Sequence, residues 1–346
     1  MDVAQIPDFD DLPPVPGMPK GCAWGVFDRA GEERDLLGTL NFLTPSVKAA
    51  AFAEARDGVS ISLNWPLNAQ QFPTGRAAPQ HRVNTLQEAG LIKSGLGWDD
   101  EVSFNTQISS QWDSLAHWPH QGSGKGYNGV RITHAGLTVG ATSNNHMPTL
   151  DHWHRVGGLV ARGVLIDYKR WFETNSKGSE TIFDPLDLHR ITVIDIESIA
   201  AAQKVDFRPG DVLIIRTGMT EVLEGQLRSE DIAKLKLIQC PGMHGSLESV
   251  RWLWNRRIAA VASDSWGFEA LPAVKEEIGS SDGLGEDSVL HPWLLSMFGM
   301  PIGELWDLKE LSVHCLKTGR YSFLLSSVPL NLPGLVASPP NAIAMF

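Results

Sequence analysis

The stretch Gln107-Ile-Ser-Ser-Gln111-Trp-Asp113-Ser-Leu-Ala-His117 brings two amides, a carboxylate and an imidazole together among small and apolar residues. Positions 107, 111, 113 and 117 share parity, so a regular extended strand would turn all four to one face. Such a row can hold a cation and a proton acceptor side by side. It also suits the solvent face of a strand, and His120 and Gln121 just beyond it blur the pattern. A second pair, His291 and Glu304, brackets the apolar run PWLLSMF and the turn from Gly299 to Gly303. On spacing alone, a histidine at a helix start caps and a glutamate after a turn is solvated as readily as either binds a ligand. Asp264-Ser265 closes a buried apolar strand, where functional residues often sit and where a carboxylate equally caps a loop. His244, in Pro-Gly-Met-His-Gly at a helix entry, meets either substrate or water.

The elements that must position these groups follow from local patterns. Thr44 caps and Pro45 opens a helix running to about Arg56. Val59, Ile61 and Leu63 alternate with Ser60, Ser62 and Asn64, which predicts a half-buried strand. Val164–Asp167, Val212–Arg216, Ile258–Ala262 and Tyr321–Ser327 read as further strands. Ser246 caps a helix over 246–257, with Val250, Leu253, Trp254 and Arg257 on one face, and another helix is expected at 289–298. The segments 122–130 and 142–150 are loop chemistry. The polar stretch 275–288 reads as a mobile loop that gates the site through His291. No repeat or composition break divides the chain. The expectation is one α+β domain with a mixed sheet: an extended proline-rich arm at 1–35, a catalytic body at 36–330, and a tail at 331–346 packed on that body or on a partner subunit.

Composition narrows the function. A chain of 346 residues, 42% hydrophobic, can bury a large core. A net charge of -11 with scattered Lys and Arg argues against nucleic-acid and anionic-membrane partners. No apolar run is long enough to span a bilayer, and the acidic, proline-rich start lacks signal-peptide character, so a cytoplasmic location is expected. Cys22, Cys240 and Cys315 are too far apart for a metal-binding pair or a disulfide framework. There is no phosphate-binding loop, nucleophile elbow, H-E-x-x-H or dinucleotide fingerprint. Twelve tryptophans against three tyrosines hint at aromatic pockets, with Trp112, Trp118 and Trp266 nearest the polar groups.

The run from Gln107 to His117 resembles the cyclase-superfamily signature H-x-G-T-H-x-D-x-P-x-H, a superfamily that includes bacterial kynurenine formamidase and isatin hydrolase. Asp113 and His117 stand at matching spacing, while Gln107 and Gln111 replace the first two histidines. PGMHGSLESVRWLWNRRIAAVASDS, HPWLLSMFGMPIGELWDL, LGTLNFLTP, GDVLIIRTG and SPPNAIA are also similar to family segments. The resemblance thus extends from about residue 36 to the end. It implies a swivelling β/β/α fold, usually dimeric or tetrameric, and hydrolysis of an amide, formamide, lactam or lactone beside an aromatic ring. It places Gln111, Asp113, His291 and Glu304 around one divalent ion, zinc or manganese in the family, with Gln107 matching a further metal-site position. His117 matches the proton-transfer histidine, and Asp113 and Gln107 are its catalytic companions. Trp112, Trp118, His244 and Trp266 are the expected contacts of a small aromatic substrate. Amide oxygens in place of imidazoles favour a harder ion such as Mn²⁺ or Mg²⁺, or no tight metal at all. Two alternatives stay open: metal-independent cyclisation, dehydration or isomerisation of a secondary metabolite, and a catalytically silent binding protein.

Overall fold

The computed structural model describes residues 3–70, 75–138, 145–176, 183–272 and 290–346. In chain order its strands are β1 (Ser60–Ser62), β2 (Gln80–Thr85), β3 (Trp98–Ser103), β4 (Gln111–Asp113), β5 (Leu159–Asp167), β6 (Arg190–Ile191), β7 (Val212–Arg216), β8 (Gly242–Met243), β9 (Ala260–Ser263), β10 (Ile302–Glu304), β11 (Ser322–Ser327), β12 (Ala337–Ser338) and β13 (Ala342–Met345). Nine of them make one mixed sheet in the order β1-β13-β11-β5-β7-β9-β10-β4-β12. Its centre, β5-β7-β9-β10, is parallel, and every outer pairing is antiparallel. The fold is α+β, a single domain around a large mixed sheet, as the sequence predicts.

The central strands are apolar almost throughout because both of their faces are covered. Inside β5, away from the charged strand ends, Arg162 is neutralised by a two-pronged pair with Asp211 at 2.9 and 2.8 Å. Helices Tyr168–Asn175 and Val193–Gln203 lie between β5 and β7 in the chain, and Leu247–Asn255 precedes β9. Thr192 and Asp195 form a capping box on the second of these, and Ser246 accepts the Ser249 N–H on the third. The helix opened by Thr44 ends at Phe52, four residues before Arg56. The run at 289–298 becomes a π-helical turn, Pro292–Phe298, closed by Gly299 at φ +70. A Cβ there would lie 2.7 Å from the Gly38 Cα, so only glycine fits.

Both ends of the chain belong to the body. Ile6, Phe9, Leu12 and Phe27 join the main core, and Trp254 Nε1 donates to the Pro7 carbonyl at 2.9 Å. The 331–346 segment contributes two sheet strands, β12 beside β4 and β13 between β1 and β11. A hairpin, β2–β3, pairs only with itself among the described residues and stands in solvent. The loop expected at 275–288 lies outside the described residues. No helix of the described residues is long and apolar enough to cross a membrane.

Candidate active site

The parallel strands end in charged groups: Asp167 closes β5, Arg216 closes β7, Asp264 follows β9, and Glu304 closes β10. This is the edge at which open α/β sheets offer functional groups. Register then decides which of them meet. β4 pairs β10 antiparallel with Ile302 opposite Asp113 and Glu304 opposite Gln111. Opposed residues share a face, so Gln111, Asp113 and Glu304 project together while Trp112 projects the other way. Trp112 is fully buried there, 4.9 Å from the Trp306 ring and 5.5 Å from that of Trp153, and donates to Ser327 Oγ. The expectation that Trp112 lines a substrate pocket is thus corrected: it is core, because strand alternation turns it away from its neighbours.

The regular strand expected over 107–117 is also corrected. Only Gln111–Asp113 is extended; Gln107 and His117 lie in turns at either end. In the first turn the Asn105 Oδ1 accepts the Gln107 N–H at 2.9 Å. In the second, the Ser114 carbonyl accepts the His117 N–H at 3.0 Å. The turns still deliver both side chains to the Asp113 face. Gln107 Nε2 donates to Asp113 Oδ1 at 2.9 Å and stands 3.4 Å from His117 Nε2. His117 Nε2 is 4.0 Å from Asp113 Oδ2.

His291, at the entry to the π-helical turn, completes the cluster. Its Nε2 is 3.2 Å from Glu304 Oε1 and 3.8 Å from Asp113 Oδ2. Its Nδ1 faces both oxygens of Glu269, at 2.7 and 2.9 Å. Glu269 also accepts the His291 backbone N–H at 3.2 Å. A carboxylate on one imidazole nitrogen orients the other toward its target. Glu269 was not among the candidates read from sequence. A carboxylate in the apolar setting of Phe268 and Ala270 is the one hint, and nothing in a 22-residue separation ties it to His291.

The electrostatics of the cluster call for positive charge. Asp113, Glu269 and Glu304 are all buried. Burial and repulsion from Asp113 push Glu304 up to about 7. Burial opposes ionisation of Asp113 too, but the imidazoles of His117 and His291 and the Gln107 amide hold it below the usual range. Burial works against a charged His291, yet Glu269, Asp113 and Glu304 outweigh it and raise its pKa well above the ordinary value. Burial keeps His117 below the ordinary imidazole value, aided by the charges of His291 and Arg76 and opposed by Asp113. At neutral pH the cluster therefore holds an unprotonated His117 beside a carboxylate-rich hollow.

Ligand atoms of Asp113, His117 and His291 lie within 4.8 Å of one another. This grouping differs from the expected set of Gln111, Asp113, His291 and Glu304, since His117 joins it and Glu304 adjoins through His291. Gln111 turns its Nε2 toward Asp113 Oδ1 at 3.2 Å and Glu304 Oε2 at 2.8 Å. Its Oε1 and the Asp113 Oδ2 are buried without hydrogen-bond partners. Trp118, 39% exposed, edges both imidazoles, with ring centroids 5.5 Å from His291 and 6.1 Å from His117. Trp266 packs against a separate apolar cluster around Trp65 and Leu305. His244 lies at the entry to helix Leu247–Asn255, its backbone N–H bonded to Ile191. Asp264 is a strut, accepting from the Thr217 N–H and Oγ1 and the Gly218 N–H at 2.7–2.8 Å.

A mixed sheet whose register converges carboxylates and imidazoles on one face defines a cyclase-like architecture. The chain belongs to the cyclase family: the family model described as "Putative cyclase" matches residues 50–270. A crystal structure described as a novel cyclase is 30% identical, covers 90% of this chain and 96% of its own, and superposes with a TM-score of 0.73. Isatin hydrolase A from Labrenzia aggregata, bound to benzyl benzoate, shares the fold at 15% identity, with 88% and 98% coverage and a TM-score of 0.54. An isatin hydrolase bound to the product analogue thioisatinate is 15% identical, with 86% and 95% coverage and a TM-score of 0.52. Among curated protein sequences, none matches.

Proposed function

We propose that this chain is a metal-assisted hydrolase of an amide, formamide, lactam or lactone beside an aromatic ring, acting on carbon–nitrogen bonds other than peptide bonds in the arylformamidase manner. The observation that carries the reading is the cluster of Asp113, His117 and His291, with two buried oxygens, Asp113 Oδ2 and Gln111 Oε1, left without partners. Orphaned buried acceptors carry a desolvation cost that a cation would relieve, so the residues fit a metal. Asp113, His291 and Glu304, with Gln111, would hold the ion, whose chemistry there is to polarise a carbonyl and acidify water. The oxygen-rich donor set favours Mn²⁺ or Mg²⁺ over Zn²⁺.

His117 accepts a proton from the attacking water and returns one to the leaving group. Gln107 prepares it: an amide NH₂ can only donate, so its contact with His117 Nε2 is a hydrogen bond only when that nitrogen is unprotonated. Asp113, held by both amides, fixes the geometry. Trp118 offers an aromatic face to the substrate. A cytoplasmic homodimer or homotetramer remains part of this reading.

One observation favours a second reading. The Gln111 NH₂ joins Asp113 to Glu304, satisfying carboxylates that a metal would otherwise claim. In that case the site performs acid–base cyclisation, dehydration or isomerisation without a metal. Elemental analysis of protein purified without chelator, together with turnover of an aryl-formamide, lactam and lactone panel, separates the two. Stoichiometric metal with turnover supports the first reading. Turnover that survives exhaustive chelation sinks it.

A further inference from the structure

Arg76 lies at the foot of the exposed hairpin, where the chain leaves the site and returns to it. Its Nη1 donates to the Gln107 carbonyl at 2.5 Å, and the Gln107 side chain bonds Asp113 and reaches His117. The guanidinium is therefore anchored through one residue to the catalytic cluster. It is half-buried, and its charge reaches His117. Among the described residues it has no carboxylate partner, although three carboxylates sit in the cluster; His291 takes Glu269 and Glu304, and Gln107 and Gln111 take Asp113.

Resting on the hydrolase reading above, we infer that Arg76 binds a carboxylate carried by the substrate, so that the preferred substrates are anionic aryl amides or lactones. The physical need is clear. The protein carries a net charge of -11 and the site is lined with acids, so an anionic substrate meets repulsion at long range and at the mouth. A guanidinium with donors to spare offsets that repulsion where it matters and matches a carboxylate in two-pronged geometry. Trp118, at the edge of both imidazoles, supplies the contact for the aromatic ring. The competing role is structural: Arg76 pins the turn that carries Gln107 and touches no substrate.

The test uses the purified protein with a matched pair, 2-formamidobenzoate and neutral formanilide, and the variants Arg76→Gln and Arg76→Lys. Wild type should favour the carboxylated member by about tenfold or more in kcat/KM, the scale of a charge-assisted hydrogen bond. Arg76→Gln should collapse that preference, chiefly through KM, and Arg76→Lys should keep part of it. A wild type without preference, or an Arg76→Gln variant in which both members fall equally, overturns the inference. Calorimetric titration with unreactive 2-aminobenzoate keeps the outcome separate from the hydrolase reading. If neither formamide turns over, that reading fails, and the titration alone decides. Binding weakened by about tenfold in Arg76→Gln supports Arg76 as the carboxylate site; equal binding by both proteins, or none by either, overturns it.

Discussion

Glu269 gives the sharpest test of how the site is held. It is 1% exposed, and among the described residues its carboxylate faces His291, through the ring Nδ1 at 2.7 and 2.9 Å and the backbone N–H at 3.2 Å. Glu269→Gln keeps an acceptor of the same shape and removes the charge; Glu269→Ala removes both. Breaking a buried ion pair by deleting one partner costs about 3–5 kcal/mol, so the alanine variant should lose about that much stability in urea unfolding. The glutamine variant should lose less, since its amide oxygen still accepts. For metal-free, chelator-treated protein the sign with pH follows from two shifts. His291 is raised above 6.5, so its contribution is complete below 6.5 and fades as pH climbs through the folded value. Glu269 is lowered below 4.5, so its contribution is complete above 4.5 and fades as pH falls through the folded value. The stability gap between wild type and Glu269→Gln should therefore be widest between 4.5 and 6.5. Metal affinity should fall by about 10–100-fold, as for other partners of a ligating imidazole. Unfolding curves across pH and calorimetric metal titrations measure both effects. A Glu269→Gln variant with wild-type affinity and an unchanged stability–pH curve would refute the reasoning that Glu269 orients and charges His291.

Three further outcomes are expected. His117→Gln should lower kcat by about 10²–10⁴-fold, the usual contribution of an acid–base group, while elemental analysis finds its metal content unchanged; loss of the metal would make His117 a ligand instead. The double change Gln107→His with Gln111→His should raise zinc affinity by more than about tenfold, because imidazole nitrogen replaces amide oxygen, and a wild type that already binds zinc tightly at full occupancy would disprove the oxygen-rich reading. Gly303→Ala would place a Cβ 2.8 Å from both Ala262 Cβ and Trp306 Nε1, so it should cost about 1–3 kcal/mol by overpacking and lower activity by shifting Glu304; an unperturbed melting temperature would show that β10 yields freely.

The sequence by itself determined the class of fold and the central strands, and its likeness to a family signature led to the expectation that Asp113, His117, His291 and Glu304 share one site. A short, β-branched apolar run after a Gly-Asp turn, such as Val212–Arg216, reads as a buried strand, and caps such as Thr44 and Ser246 act within a few residues of themselves. The paired glutamines were equally legible, because residue type and spacing are enough to show a departure from a signature. What only the tertiary structure decided depends on partners distant in the chain. The pairing of β4 with β10 chose which face the polar row shares and sent Trp112 into the core, a register no local pattern encodes. Turns, not strand alternation, brought in Gln107 and His117. Glu269 became the partner of His291, and Arg76 came to rest against Gln107. An isolated buried carboxylate and a lone arginine have no periodicity to betray them; their roles come from the burial and the contacts that folding of the whole sheet imposes.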